Sequence, residues 1–119
     1  MPAGPADAAD SPLTLRSYVE GDATIVQCTG KLTAGLTGPF RDEVKRLIPQ
    51  SKKIVLDLTN LTQMDSMGLG TIVGLYVSAK AAGCQLILIN LSQRVRELFR
   101  ITNVWKLLEV YGDNHFRMP

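Results

Sequence analysis

The chain has 119 residues, of which 45% are hydrophobic and 20% charged, and its formal net charge is only +2. This length suits one compact domain that folds without a metal or disulfide, and no apolar run is long enough for membrane insertion. The 13 Lys and Arg residues are scattered among 11 acids, so the basic stripe required for direct nucleic-acid binding is not expected.

The two ends of the chain differ in composition from its middle. Residues 1–12, MPAGPADAADSP, have too few large apolar side chains to form a core and lack the basic start of a signal peptide. We therefore expect a disordered lead-in over residues 1–12, one domain over 13–112 and a C-terminal tail over 113–119.

The cysteines give no sign of a metal centre or a disulfide framework. Cys28 and Cys84 are the only two, each inside or beside an apolar run and without CxxC spacing. His115, near the C-terminus, is the only histidine. The sequence therefore predicts buried, reduced thiols, no metal site and no cofactor.

The first predicted elements are two antiparallel strands followed by a helix. LTLRSYV and ATIVQCTG flank Gly21-Asp22, a pair typical of a hairpin turn. Pro39 fits the next helix only within its first turn, and Thr33 or Thr37 is expected to cap that helix. Apolar residues at spacings of three and four define its buried face, namely Leu36, Phe40, Val44, Leu47 and Ile48. Its polar side carries Arg41, Asp42, Glu43, Lys45 and Arg46.

The second half of the chain alternates strands and helices. KKIVLDL predicts a short buried strand covered by helices on both faces. A helix is expected from about Met67 to Ala82, with Gly83 as its stop, and CQLILIN predicts the next buried strand. SQRVRELFRIT predicts a helix that is capped by Ser92 and ended by Asn103.

The last segment, VWKLLEVY, predicts a short helical turn and an edge strand. The element order is therefore ββαβαβα with a short terminal element. This order predicts an α/β fold with a mixed, four- to five-stranded sheet and right-handed crossover helices.

A polar pair, Asp65-Ser66, lies between Met64 and Met67 where a strand-like run meets a helix-like one. Unpaired N–H groups and the peptide dipoles favour an anion at such a helix start. A capping role alone explains the pair without any function. The methionines favour a second interpretation, because adaptable apolar side chains suit a partner surface that re-packs between complexes.

Two glycines follow this pair in the first turn of the helix. Gly68 and Gly70 lower helix stability by up to about 1 kcal/mol each relative to Ala. Such small residues allow another backbone or a phosphate to approach closely. The glycines therefore strengthen the prediction of a contact surface.

VLDLTNLTQMDSMGLGTIVGLY, residues 55–76, resembles the signature segment of the STAS domain in bacterial anti-sigma factor antagonists. In that family a hydrophobic strand, D-L and a short loop precede D-S-[ST]-G-[LI]-G at the start of a helix. Residues 86–111 resemble the family's next strand, helix and C-terminal turn, and CTGKL at 28–32 also fits. The resemblance extends over nearly all of residues 13–112 and implies a single STAS-like domain.

The resemblance also implies a cytoplasmic regulator that is not an enzyme. Ser66 would be phosphorylated by an anti-sigma factor that is an ATP-dependent serine kinase, and a serine phosphatase would remove the phosphate. The unmodified protein would bind the anti-sigma factor and free the sigma factor. The partner-binding residues expected around Ser66 are Lys31, Thr33, Met64, Asp65, Met67, Gly68 and Leu69.

Two residues depart from the family pattern. Met67 stands where the family commonly has Ser or Thr, which enlarges the apolar contact beside Ser66. Thr33 stands where many members have Asp in a G-x-L-D motif, which removes a carboxylate at the border of the kinase-binding surface. Both changes bear on the identity of the partner rather than on the fold.

Alternatives of other classes stay open. One is a soluble STAS accessory subunit of a membrane lipid or anion transport complex, and another is a small-ligand or nucleotide sensor. A weak homodimer through an exposed strand edge is a further alternative. Acid-base catalysis is not expected, because Asp57 and Asp65 have no convergent His, Lys or Cys. GLGTIVG matches neither GxGxxG nor a P-loop.

Overall fold

Residues 12–111 are described by the computed structural model, and they form five strands and three helices. The strands are β1 (Leu13–Glu20), β2 (Ala23–Leu32), β3 (Lys53–Met64), β4 (Gln85–Ile89) and β5 (Glu109–Tyr111). The helices are α1 (Thr37–Leu47), α2 (Ser66–Ala81) and α3 (Gln93–Thr102), with 3₁₀ turns at Ile48–Gln50 and Val104–Lys106. The predicted lead-in, except Pro12, and the predicted tail with His115 lie outside the described residues.

The five strands form one mixed sheet in the order β1-β2-β3-β4-β5. β1 and β2 pair antiparallel, and Gly21 in their turn has a φ of +64°, which confirms the predicted hairpin. The pairs β2–β3, β3–β4 and β4–β5 are parallel. The predicted sheet is therefore confirmed, with the short terminal strand β5 as its fifth member.

All three helices pack on one face of this sheet. Each crossover adds its strand in the same direction, and right-handed connections of this kind place their helices on the same side. In β3, Ile54 and Leu56 are fully buried, whereas Val55 and Asp57 are partly exposed. Buried side chains of α1, α2 and α3 join a single core cluster. The prediction that β3 is covered on both faces is wrong, because the strand order never reverses.

The apolar face predicted for the first helix is confirmed, but its predicted cap is wrong. Phe40, Val44, Leu47 and Ile48 are buried, and Pro39 lies in the first turn of α1. The N-cap residue is Leu36, which has no side-chain cap. A turn precedes the helix, in which the Leu36 N–H donates to the Thr33 carbonyl at 2.9 Å, so neither threonine takes the capping position.

β3 continues further than the predicted strand. Its last residues pair with the end of β2, up to Leu32 opposite Met64, after two register shifts in the ladder. The Thr62 hydroxyl also donates to the Gly30 carbonyl at 3.0 Å. The expected loop before the second helix is consequently replaced by strand, and a single residue, Asp65, joins β3 to α2.

The remaining boundaries agree closely with the sequence. α2 begins one residue before its predicted start, and Gly83 after it has a φ of +76°. The Ser92 hydroxyl accepts from the Val95 N–H at 3.3 Å, and Asn103 ends α3 with a left-handed φ of +63°. These residues fix the ends of α2 and α3 through local chemistry.

Both cysteines are free and buried, as predicted. Burial, reinforced by the negative charge of Asp57, raises the pKa of the Cys28 thiol to about 12. Cys28 is thus a neutral, apolar member of the core at physiological pH.

Within residues 12–111, no helix combines the length and the apolar character that a membrane span requires.

Candidate functional site

The Asp65 carboxylate connects the start of α2 to the loop between β2 and α1. Its Oδ1 atom accepts from the N–H groups of Met67 and Gly68, both at 3.0 Å. Its Oδ2 atom accepts from the Ala34 N–H at 2.9 Å. Asp65 is therefore the N-cap of α2 and also holds the neighbouring loop in place.

These hydrogen bonds lower the pKa of Asp65, with the bond from Ala34 contributing most and the bond from Gly68 next. N–H donors favour the ionised form of a carboxyl group. Asp65 is consequently charged at neutral pH, and backbone groups of the same chain bind both of its oxygens. A direct contact between Asp65 and a partner stays a prediction.

Gly68 allows the first turn of α2 to pack against the end of β2. A Cβ atom at this position would lie 2.2 Å from the Leu32 carbonyl oxygen, whereas one at Gly70 would meet nothing within 4 Å. The close approach that the sequence predicted for both glycines thus occurs at Gly68. The approaching backbone belongs to the same chain.

Ser66 is the first residue of α2, and it is exposed. Because Asp65 provides the cap, the Ser66 hydroxyl is not needed to start the helix. The two methionines beside the pair differ, since Met67 is 58% exposed and Met64 only 8% exposed. Of the two methionines, only Met67 therefore presents a large apolar area to solvent.

The other predicted site residues lie at the same edge of the sheet. Pairing of Lys31 with Gln63 brings the carboxyl ends of β2 and β3 together beside the start of α2. Lys31 is exposed and Thr33 is partly exposed, whereas Leu69 is buried. We define the Ser66 surface as the exposed or partly exposed residues Lys31, Thr33, Ser66 and Met67. Met64, Gly68 and Leu69 are buried at the same junction.

A groove of about 380 Å³ runs between α1 and α2 beside this surface. Arg41 and Lys45 line it from α1, and Ser66, Gly70 and Gly74 line it from α2, together with other residues of that helix. From the sequence, both cations were expected only on the polar side of α1. Their spacing of four residues places them on one helix face, but it does not show which element that face approaches.

The potential metal ligands of the described residues are dispersed, and the acids near the junction bond to local groups. Among residues 12–111, no cluster of three or more His, Cys, Asp or Glu side chains could hold a metal ion. The Asp57 carboxylate accepts from the N–H and hydroxyl of Thr59, and the Asp65 carboxylate has backbone partners. Each of the two acids nearest the junction thus accepts hydrogen bonds from groups of its own chain.

A family model described as STAS domain matches residues 14–116. The chain belongs to the STAS domain family. A STAS-domain containing protein of Pseudomonas aeruginosa (strain UCBPP-PA14) is 30% identical over 98 residues, which cover 82% of this chain and 97% of the relative. The anti-sigma-B factor antagonist of Listeria monocytogenes serovar 1/2a is 37% identical over 76 residues, 62% of this chain and 67% of the relative.

Solved structures confirm the fold of this STAS domain. The anti-sigma factor antagonist SpoIIAA in its unphosphorylated form superposes with a TM-score of 0.68 at 22% sequence identity. The match covers 86% of this chain and 90% of that one. The resemblance noted in the sequence therefore corresponds to a shared fold.

The two glycines of the first turn of α2 generate a test of this packing. We expect Gly68→Ala to lower the free energy of unfolding by about 1–3 kcal/mol, because a methyl group collides with β2. Gly70→Ala, the matched control, should raise it by up to about 1 kcal/mol through helix propensity. Urea denaturation measures both, and changes of the same sign would contradict the close contact at Leu32.

The Asp65 carboxylate generates a second test. We expect Asp65→Ala to lower the free energy of unfolding at pH 7 by about 1–2 kcal/mol, because α2 loses its cap and the Ala34 N–H its acceptor. The pKa of Asp65 is lower in the folded than in the unfolded chain, so its ionised form stabilises the fold above the unfolded value of about 3.9. This contribution is lost as the pH falls through the folded pKa.

Urea titrations between neutral and acidic pH measure the free energies of unfolding of wild type and Asp65→Ala. The two values should converge as the pH falls below about 4 and through the folded pKa of Asp65. Ser92→Ala, which removes the uncharged cap of α3, is the control and should show a smaller effect without this convergence. If the difference in free energy of unfolding between wild type and Asp65→Ala stayed constant with pH, a stabilising role of the ionised carboxylate would be contradicted.

Proposed function

We propose that this STAS domain is a cytoplasmic anti-sigma factor antagonist without enzymatic activity of its own. Its unphosphorylated form binds an anti-sigma factor and thereby releases the sigma factor. The family membership and the anti-sigma factor antagonists among its relatives support this role. The observation that carries the proposal is the exposed Ser66 at the start of α2, beside the apolar side chain of Met67.

In this proposal the anti-sigma factor is also a serine kinase. It transfers the γ-phosphoryl group of ATP to the Ser66 oxygen, which loses its proton, and ADP leaves. A serine phosphatase later hydrolyses the phosphate ester and restores the hydroxyl. The exposure of Ser66 supports this cycle, because both enzymes must reach the same oxygen.

The local structure supports a switch that leaves the fold intact. Asp65 provides the cap of α2, so a modified Ser66 still leaves the bonds to Met67, Gly68 and Ala34 in place. A phosphate adds about −1.5 to −2 charge to the Ser66 surface. An unfavourable charge at an interface costs several kcal/mol, and each 1.4 kcal/mol weakens binding about tenfold.

Affinity capture from the native cell with mass spectrometry identifies the partner and locates any phosphate on the bait. We then expect Ser66→Asp to weaken binding to that partner about tenfold or more, and phosphorylation to weaken it further. Ser66→Ala should retain affinity within about twofold and retain stability, because Asp65 provides the cap. Isothermal titration calorimetry measures the affinities.

Ser78→Asp is the control for this series, since it adds the same charge to an exposed position in the last turns of α2. We expect it to leave the affinity unchanged. Binding that is indifferent to the charge at Ser66 would contradict the switch and favour the transport-subunit alternative. Loss of folding in Ser66→Ala would show that the residue is chiefly a cap.

Met67 provides an independent test of the docking surface. We expect Met67→Ala to weaken partner binding by about 1–2 kcal/mol, because it removes exposed apolar area beside Ser66. Val77→Ala is the matched control, since Val77 lies on the same helix with 61% exposure against 58% for Met67. Equal losses in the two variants, measured by calorimetry, would place the interface elsewhere.

A further inference from the structure

The start of α2 has few hydrogen-bond donors left for a phosphate. The N–H groups of Met67 and Gly68 donate to the Asp65 carboxylate, and the Leu69 N–H donates to the Asp65 carbonyl at 3.0 Å. A phosphate on Ser66 would also lie one residue from the Asp65 charge, which repels it. The positive end of the helix already binds a carboxylate of its own chain, so a phosphate on Ser66 gains little from the helix start itself.

Two such cations line the groove between α1 and α2. Arg41 and Lys45 are exposed, lie one turn apart on α1 and border the same groove as Ser66. Their neighbour Arg46 is paired with Glu43 at 2.9 Å. In the part of the chain that the structure describes, neither Arg41 nor Lys45 takes part in an ion pair. Both cations are therefore available to an anion in the groove.

The groove has room for a phosphate because α2 presents glycines there. At Gly70 and Gly74 a Cβ atom would meet nothing within 4 Å. The Thr71 hydroxyl, which also lines the groove, donates to the Met67 carbonyl at 2.9 Å. Next to Ser66 the groove thus offers open space, with Arg41 and Lys45 on the opposite helix.

We propose that Arg41 and Lys45 bind the phosphate of phosphorylated Ser66 within the same chain. The ligand class is a phosphate monoester dianion, and the inference rests on the proposed phosphorylation of Ser66. The planar guanidinium donates two parallel hydrogen bonds to phosphate oxygens, and the ammonium group adds a compact positive charge. Together they offset the repulsion between the phosphate and Asp65.

This contact changes the docking surface in two ways. The phosphate occupies the end of the groove beside Met67, and it neutralises two positive charges that the unmodified protein presents there. A partner that binds the unmodified Ser66 surface then meets a different shape and a different charge. The bonds that fix α2 remain, because they involve Asp65 rather than Ser66.

Phosphorus NMR on the full chain tests the proposal without any partner. Phosphoserine is incorporated at position 66 during translation, and the phosphate is titrated between about pH 4 and 8, around its second pKa of about 6. We expect Arg41→Gln/Lys45→Gln to raise that phosphate pKa by about one unit, because nearby cations favour the dianion.

Lys52→Gln/Lys80→Gln is the control, since it removes the same charge from exposed positions outside the groove. We expect it to leave the phosphate pKa unchanged. Equal phosphate pKa values in the parent protein and the Arg41→Gln/Lys45→Gln variant would overturn the proposal.

A second measurement guards against an effect of the substitutions on folding. The change in melting temperature on phosphorylation should be more favourable in the parent protein than in the Arg41→Gln/Lys45→Gln variant. Equal changes in the two proteins would also overturn the proposal. The two proposals fail separately. An affinity for the partner that does not change on phosphorylation would contradict the antagonist switch. A phosphate pKa that is unchanged in the Arg41→Gln/Lys45→Gln variant would contradict only the contact between α1 and the phosphate.

Discussion

The rest of the site depends on the hydrogen bonds that the Asp65 carboxylate accepts. It bonds two N–H groups at the start of α2 and a third in the loop after β2, so it joins two segments that are far apart in the sequence. Because the Asp65 side chain caps the helix, the adjacent Ser66 is exposed and its hydroxyl is not needed as a cap. A modification can then change the surface without removing a bond that the fold needs.

The elements around Asp65 place the site on a strand and a helix rather than on a loop. β3 runs without a loop into the cap of α2, and the first turn of α2 lies against the Leu32 carbonyl because Gly68 has no side chain. Side chains on such elements are positioned more precisely than side chains on loops. The switch that we propose therefore acts through charge and surface shape, while the backbone at the site stays fixed.

Charge at this site is balanced between neighbouring elements. The N–H groups at the start of α2 already bind the Asp65 carboxylate. The helix dipole therefore stabilises a phosphate on Ser66 less than it would at a helix start without this carboxylate. Arg41 and Lys45 on α1 supply positive charge from the other side of the groove. The packing of α1 against α2 thus links the chemistry of the Ser66 surface to a helix that contains none of the family signature.

Local patterns in the sequence determined most of the elements. The spacing of Phe40 and Val44, the cap at Ser92 and the turn at Gly21 each depend on groups a few residues apart, which a sequence displays directly. The Asp65-Ser66 junction was also predicted. Which of the two polar residues would cap α2 was not, because both types are good caps and the choice depends on the Ala34 N–H of a distant loop.

Only the tertiary structure decided the features that require distant segments to meet. The polar end of β3 became strand because it pairs with β2 through register shifts, and β3 is covered on one face because the strand order never reverses. The groove with Arg41 and Lys45 exists because α1 packs beside α2. Local propensity fixes which residues form each helix or strand, whereas long-range pairing and packing fix which surfaces face each other.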